Sequence, residues 1–174
     1  FREYVKAELL NWCKNNKKPD GSNYNLYTDG LKIYTTVDAK LQEYAERAMI
    51  QQMTQVQNQF FEHWGKEKPW KGKEVLVEEA IHRSARYRNL KQKGLSEEKI
   101  LEELNQPIPM RLFTWEGAQD ANVSPVDSIK HHLQYLNAGL LAMNPATGQI
   151  KAWVGGIEHD FFQYDHVKTS TKRQ

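Results

Sequence analysis

Ser96-Glu97-Glu98-Lys99 has the Ser-x-x-Lys spacing, which sets an ammonium one helical turn from a hydroxyl. Serine acyl-transfer enzymes use that pair to lower the cost of deprotonating the nucleophile. The two intervening acids argue against it here. Carboxylates suit the first turn of a helix, and beside Lys99 they keep its ammonium protonated, so Ser96 is expected to be a helix N-cap. Thr169-Ser170-Thr171-Lys172 repeats the spacing with threonine in the first position and is set aside. Six histidines raise the question of a metal: His63, His82, the adjacent His131 and His132, His159 and His166. Neighbouring side chains on a helix diverge by about 100°, so His131 and His132 do not simply share one ion. His159-Asp160 and Asp165-His166 are held apart by loop. Surface or second-layer histidines are expected, with no metal and no cofactor.

A second set of residues could bind rather than react. Arg83, Arg86 and Arg88, followed by Lys91 and Lys93, form a basic run on an expected helix. Trp70 and Trp115, with Trp64, Tyr87 and Phe113, supply the side chains that dominate interface energetics. Arg83, Arg86, Arg88, Trp70 and Trp115 are therefore candidates for a partner-binding surface, meeting an acidic partner or anionic lipid. The plainer reading, a solvated helix face beside a small aromatic core, stays open.

Composition limits the alternatives. The 174 residues are 39% hydrophobic and 26% charged, enough for one core or two small ones. A net charge of +2, with acids nearly matching bases, does not point to nucleic acid. The single cysteine, Cys13, excludes an internal disulfide and a multi-cysteine metal site. The sequence contains neither a signal peptide nor an apolar run of spanning length, so a membrane anchor, if any, is expected upstream.

Among the elements expected to position these residues, the central one is a β-hairpin over 140–157. The apolar arm Leu140 to Met143, without alternation, reads as a strand buried on both faces, and Asn144-Pro145-Ala146-Thr147-Gly148 is its turn. The return arm alternates Ile150, Ala152 and Val154 against Lys151 and Trp153. A lone hairpin is marginal in water, so its open edge is expected to be covered. Residues 1–12 form a short amphipathic helix, 15–25 a polar loop, and 26–36 a second hairpin turning at Asp29-Gly30. Asp38 caps a long helix with apolar positions Leu41, Ala45, Ala48, Met49, Met53, Val56 and Phe60. One helix is expected over 74–92, ended by Gly94, and another over 97–104. Residues 110–115 are extended. Ser124-Pro125-Val126-Asp127 opens a helix with Val126, Ile129, Leu133 and Leu136 inward.

Several of these segments together resemble class A penicillin-binding proteins. The matching stretches are Asp29 to Asp38 ahead of the long helix, Ala142-Met143-Asn144-Pro145 with Thr147-Gly148, and Trp153-Val154-Gly155-Gly156. Phe162 to Val167 and Lys172-Arg173-Gln174 complete them. They lie in residues 26–50 and 138–174, about a third of the chain. The resemblance implies a bifunctional peptidoglycan synthase. Its membrane-anchored parent would face the periplasm or outer cell surface, polymerise lipid-linked disaccharide and cross-link stem peptides. It also implies a nucleophilic serine just beyond Gln174, acylated by penicillin, with a lysine assisting and an amine of a second stem peptide as acceptor.

The family's Ser-x-Asn and Lys-Thr-Gly elements are not among these residues, so the chain is read as a non-catalytic piece. The expected organisation is an interdomain linker with a hairpin (1–37), the long helix with a helical insertion (38–137), and the first hairpin of a transpeptidase domain (138–174). The fold class is α+β. The alternative function is a non-enzymatic interaction module of the cell envelope.

Overall fold

The computed structural model describes residues 1–168; the Thr169-to-Lys172 and Lys172-to-Gln174 motifs lie outside the described residues. The fold is α+β, and the described residues contain six helices and two antiparallel two-stranded sheets. The chain divides into two compact units, one made of Phe1–Ile50 with Ala138–Gln174, the other of Gln51–Asn137. The division between the units falls inside the long helix. Among the described residues, no helix is long and apolar enough to cross a membrane.

The first unit holds α1 (Arg2–Asn15), the opening turns of α2 (Ala39–Trp64), and the hairpin β3 (Leu140–Met143) and β4 (Ile150–Val154). Asp38 caps α2 as expected, its carboxylate accepting from the N–H groups of Lys40 and Leu41 at 2.9 and 3.0 Å. The hairpin turn also forms. Asn144 Oδ1 accepts from the Ala146 and Thr147 amides, and Gly148 takes φ 71°, where a side chain would be strained.

The burial of the two arms differs from expectation. β3 alternates between half-buried and exposed, with Leu141 and Met143 facing solvent, while β4 is the deeply buried strand. The cause is what packs on β4. The rings of Phe1 and Tyr4 lie 6.1 and 5.3 Å from that of Trp153, so the face carrying Trp153 is covered by the start of α1.

The free edge of β4 is closed by residues 36–42. Thr36 Oγ1 donates to Ile150 O, Asp38 N–H to Lys151 O, and the Gln42 side-chain amide both donates to Trp153 O and accepts from Trp153 N–H. A side chain here completes the hydrogen bonding that a further strand would supply.

The second hairpin, expected over 26–36, does not form; these residues are turns and irregular chain, and the neighbouring pairing is a single bridge between Lys17 and Asn23. Local polar chemistry outcompetes the β pattern. The Asp29 carboxylate accepts from Lys18 Nζ at 2.8 Å and from Asn25 N–H at 2.7 Å, which ties the segment into a closed turn. Tyr27 and Tyr34 are 71% and 88% exposed, so no apolar face rewards strand formation.

The second unit contains the rest of α2, then α3 (Val75–Arg83), α4 (Ala85–Gln92), α5 (Glu97–Leu104), β1 (Ile108–Leu112), β2 (Gln119–Val123) and α6 (Pro125–Leu133). The single helix expected over 74–92 is broken at Ser84, whose ψ of 145° is extended and whose Oγ caps α4 by accepting from Tyr87 N–H. Gly94 closes α4 as expected at φ 81°. The Gly94 and Leu95 amides return to Lys91 O and Leu90 O, the paired bonds of a Schellman ending. Side chains at i and i+4, Val77 with Ile81 and Ile100 with Leu104, meet Tyr87 and Val126 in one core, and Trp70, Leu90, Leu95 and Ile129 pack against it. Strand β2, which the sequence reading did not include, pairs with β1 from Ile108 opposite Val123 to Leu112 opposite Gln119.

Candidate functional site

Ser96 occupies the N-cap of α5 in extended conformation, but its side chain makes no cap hydrogen bond. The N-cap position is as expected but the capping bond is absent, so the cost of about 1 kcal/mol usual for losing an N-cap does not apply to it. Glu97 instead accepts from Tyr87 Oη at 2.6 Å and pairs with His82 at 3.2 Å, contacts that hold its carboxyl below the usual glutamate range. The phenol of Tyr87 is pushed up by the same bond and by burial. Ser96-x-x-Lys99 is a helix start joined to a surface polar network.

The two adjacent histidines act together on the backbone of one residue, Phe113. His131 Nε2 lies 2.7 Å from Phe113 O, and His132 Nε2 lies 3.3 Å from Phe113 N. A carbonyl only accepts and an amide only donates, which assigns both rings: His131 carries its proton on Nε2, whereas His132 accepts there and donates from Nδ1 to Ser128 O at 2.7 Å. Divergent side chains thus grip opposite polar groups of Phe113. Its ring packs at 4.9 Å from that of Tyr135 and 5.3 Å from that of Trp115. Among the described residues, no group of three His, Cys, Asp or Glu side chains is placed to hold a metal.

This grip requires a neutral His132. Burial, aided by the nearby His131 and opposed by the Ser128 carbonyl, depresses its pKa below the ordinary 6.5. As pH falls through 6.5 the unfolded chain takes up a proton that the folded chain refuses. Stability from this group is therefore full above that value and is lost as pH drops toward the depressed folded one. Amide exchange in residues 108–136 is expected to quicken between pH 7 and 5.5 beyond its intrinsic pH dependence. In His132→Gln that additional dependence should flatten.

The predicted binding residues separate. Arg83, Arg86 and Arg88 are exposed; Arg83 reaches Glu79 on its own helix, with Nε donating to the carbonyl and a 3.9 Å ion pair. Arg86 borders a groove of about 420 Å³, floored by Leu90 and Leu104 and carrying both Lys93 and Glu103, so the groove has mixed charge. Trp70 is half-buried against the core, and Trp115 is half-buried against Phe113, its indole N–H lacking a partner among the described residues. Sequence reasoning did not include Gln57, wholly buried on α2. Its amide donates to Gln134 O at 2.9 Å and accepts from Leu136 N–H at 2.8 Å.

No curated protein and no solved structure matches this chain. Residues 64–136 match the family model of the penicillin-binding protein middle domain, which supports a penicillin-binding protein fragment.

Proposed function

We propose that the chain is a structural part of a class A penicillin-binding protein, a bifunctional peptidoglycan synthase. The observation that carries this reading is the middle-domain match over 64–136, joined to the separate resemblance in 26–50 and 138–174. The parent polymerises lipid-linked disaccharide and cross-links stem peptides on the extracytoplasmic side of the plasma membrane, to which an upstream segment anchors it. Its nucleophilic serine lies shortly after Gln174, forms the acyl-enzyme with a lysine assisting, and passes the acyl group to an amine of a second stem peptide. No cofactor is needed for that chemistry. The chain itself is non-catalytic: Ser96 adjoins two acids that serve helix α5 and its polar network.

The second reading, an interaction module for an envelope partner, is favoured by the exposure of Arg83, Arg86 and Arg88. Both can hold within one protein, with the arginines as the accessible members of the predicted surface.

A fluorescent penicillin tests the main reading. The full-length protein is expected to label covalently and the isolated 174-residue chain to remain unlabelled. An unlabelled full-length protein overturns the synthase reading; labelling of the isolated chain that disappears in Ser96→Ala overturns the non-catalytic one.

A further inference from the structure

Helices α4 and α5 and the start of β1 line the groove that Arg86 borders, within the 51–137 unit. Its floor is apolar and fixed: Leu104 is buried, Leu90 packs against the core, and Ile108 opens β1 opposite Val123. Both helical walls end in satisfied caps. The Gly94 and Leu95 amides close α4, and Asn105 Nδ2 donates to Leu101 O at 2.7 Å at the end of α5. The space of about 420 Å³ is therefore pre-formed, and it lies within the roughly 300–1,000 Å³ usual for ligand sites. Arg86 and Lys93 stand on the α4 wall two turns apart, which is about 10.5 Å along a helix. Glu103 stands on the α5 side. Among the described residues none of these three makes an ion pair, whereas Arg83, outside the groove, pairs with Glu79. Asn89 and Gln106 border the same space with side-chain amides, which both donate and accept as a peptide backbone requires.

We propose that this groove binds a short extended peptide through two carboxylates: its C-terminus and an acidic side chain about three residues upstream, with a basic side chain between them facing Glu103. An extended chain advances about 3.3 Å per residue, so three residues span the interval from Arg86 to Lys93. An apolar side chain of the peptide covers Leu90, Leu104 and Ile108. A bare phosphate or an anionic lipid headgroup meets the two cations, but Glu103 repels it and the apolar floor gives it nothing. The inference involves no acyl transfer and so stands apart from the synthase reading. It rests on the second reading above in taking Arg86 as a binding residue.

The probe is the N-acetylated tetrapeptide Asp-Lys-Leu-Ala with a free C-terminus, titrated calorimetrically into the 174-residue chain. Salt is held at about 0.15 M, where charges more than about 8 Å apart are screened. Binding is expected at millimolar peptide. Arg86→Glu should weaken it about fivefold, the upper range for exposed ion pairs. Exchanging the peptide's Asp for Lys should restore affinity to that variant while weakening it for wild type, a rescue that a merely structural role does not give. Amidating the peptide's C-terminus should weaken wild-type binding about threefold and leave Lys93→Gln unchanged, because the two changes remove one contact. All the substituted side chains are exposed, so the fold is kept. Absence of binding overturns the proposal, as does a loss in Arg86→Glu that the exchanged peptide does not rescue. Displacement of the peptide by an equal concentration of inorganic phosphate overturns it in favour of a simple anion patch. A dimer in light scattering that Arg86→Glu dissolves gives the groove to a second copy and also overturns it. Arg83→Glu and Arg88→Glu, outside the groove, should bind as wild type. Sensitivity to these two and not to Arg86→Glu sinks the groove while leaving the second reading in place.

Discussion

Truncating Ile100 to alanine should cost the 51–137 unit about 3 kcal/mol, within the 2–5 kcal/mol found for such cavities. Ile100 is 0% exposed and stands where α3, α4, α5 and α6 contribute Ile81, Tyr87, Leu104 and Val126 to one core. Little can collapse into the space it leaves, because Leu104 is itself 2% exposed. Leu101, the next residue along α5, is 37% exposed, and its truncation should cost under about 1 kcal/mol. Small domains have about 5–15 kcal/mol in total, so the first substitution removes a large part and the second very little. Urea unfolding followed by amide exchange within the unit measures both. Equal losses would show that the core is not centred on Ile100.

The helices were legible in the sequence wherever a cap and a period agreed. Asp38, Ser124 and Gly94 mark real ends because each satisfies backbone groups that a helix end leaves open. Ser84 illustrates the limit. In a continuous 74–92 pattern it looks like one more solvated residue, and only tertiary packing shows that the chain turns there to bring Tyr87 into the core.

The failed hairpin at 26–36 has the β-branched and aromatic content of strands, but Asp29 offers its neighbours a closer partner than any strand does. The two arms of the true hairpin have similar apolar content, and which one is covered depends on α1, far away in sequence. The family-model match fell where the sequence reading found no resemblance. Resemblance was read from the two flanks, whereas the segment treated as an insertion is the one that matches the middle domain.

Gln57 shows the same limit and leads to a prediction. It lies four residues after Met53 on the buried side of α2, but a polar residue on an apolar stripe is passed over when the stripe is read for hydrophobicity. It is 0% exposed, and its amide holds Gln134 O and Leu136 N–H just after α6 ends. Gln42, on the same helix, makes the matching pair of bonds to Trp153 in the other unit, but it is only half-buried. Equal chemistry at unequal depth should give unequal effects. Gln57→Leu fills roughly the same volume yet leaves Gln134 O and Leu136 N–H without the wholly buried amide that serves them, each costing about 1–3 kcal/mol, so about 2–6 kcal/mol in all. Gln42→Leu acts at a half-exposed side chain, where water can take the place of the lost amide, and should cost about 1 kcal/mol. Chemical denaturation of the two variants, with amide exchange assigning the loss to 51–137 or to the 138–168 hairpin, decides the matter. A Gln57→Leu protein as stable as Gln42→Leu would mean that the released backbone finds other partners, and that the turn after α6 does not depend on this clamp.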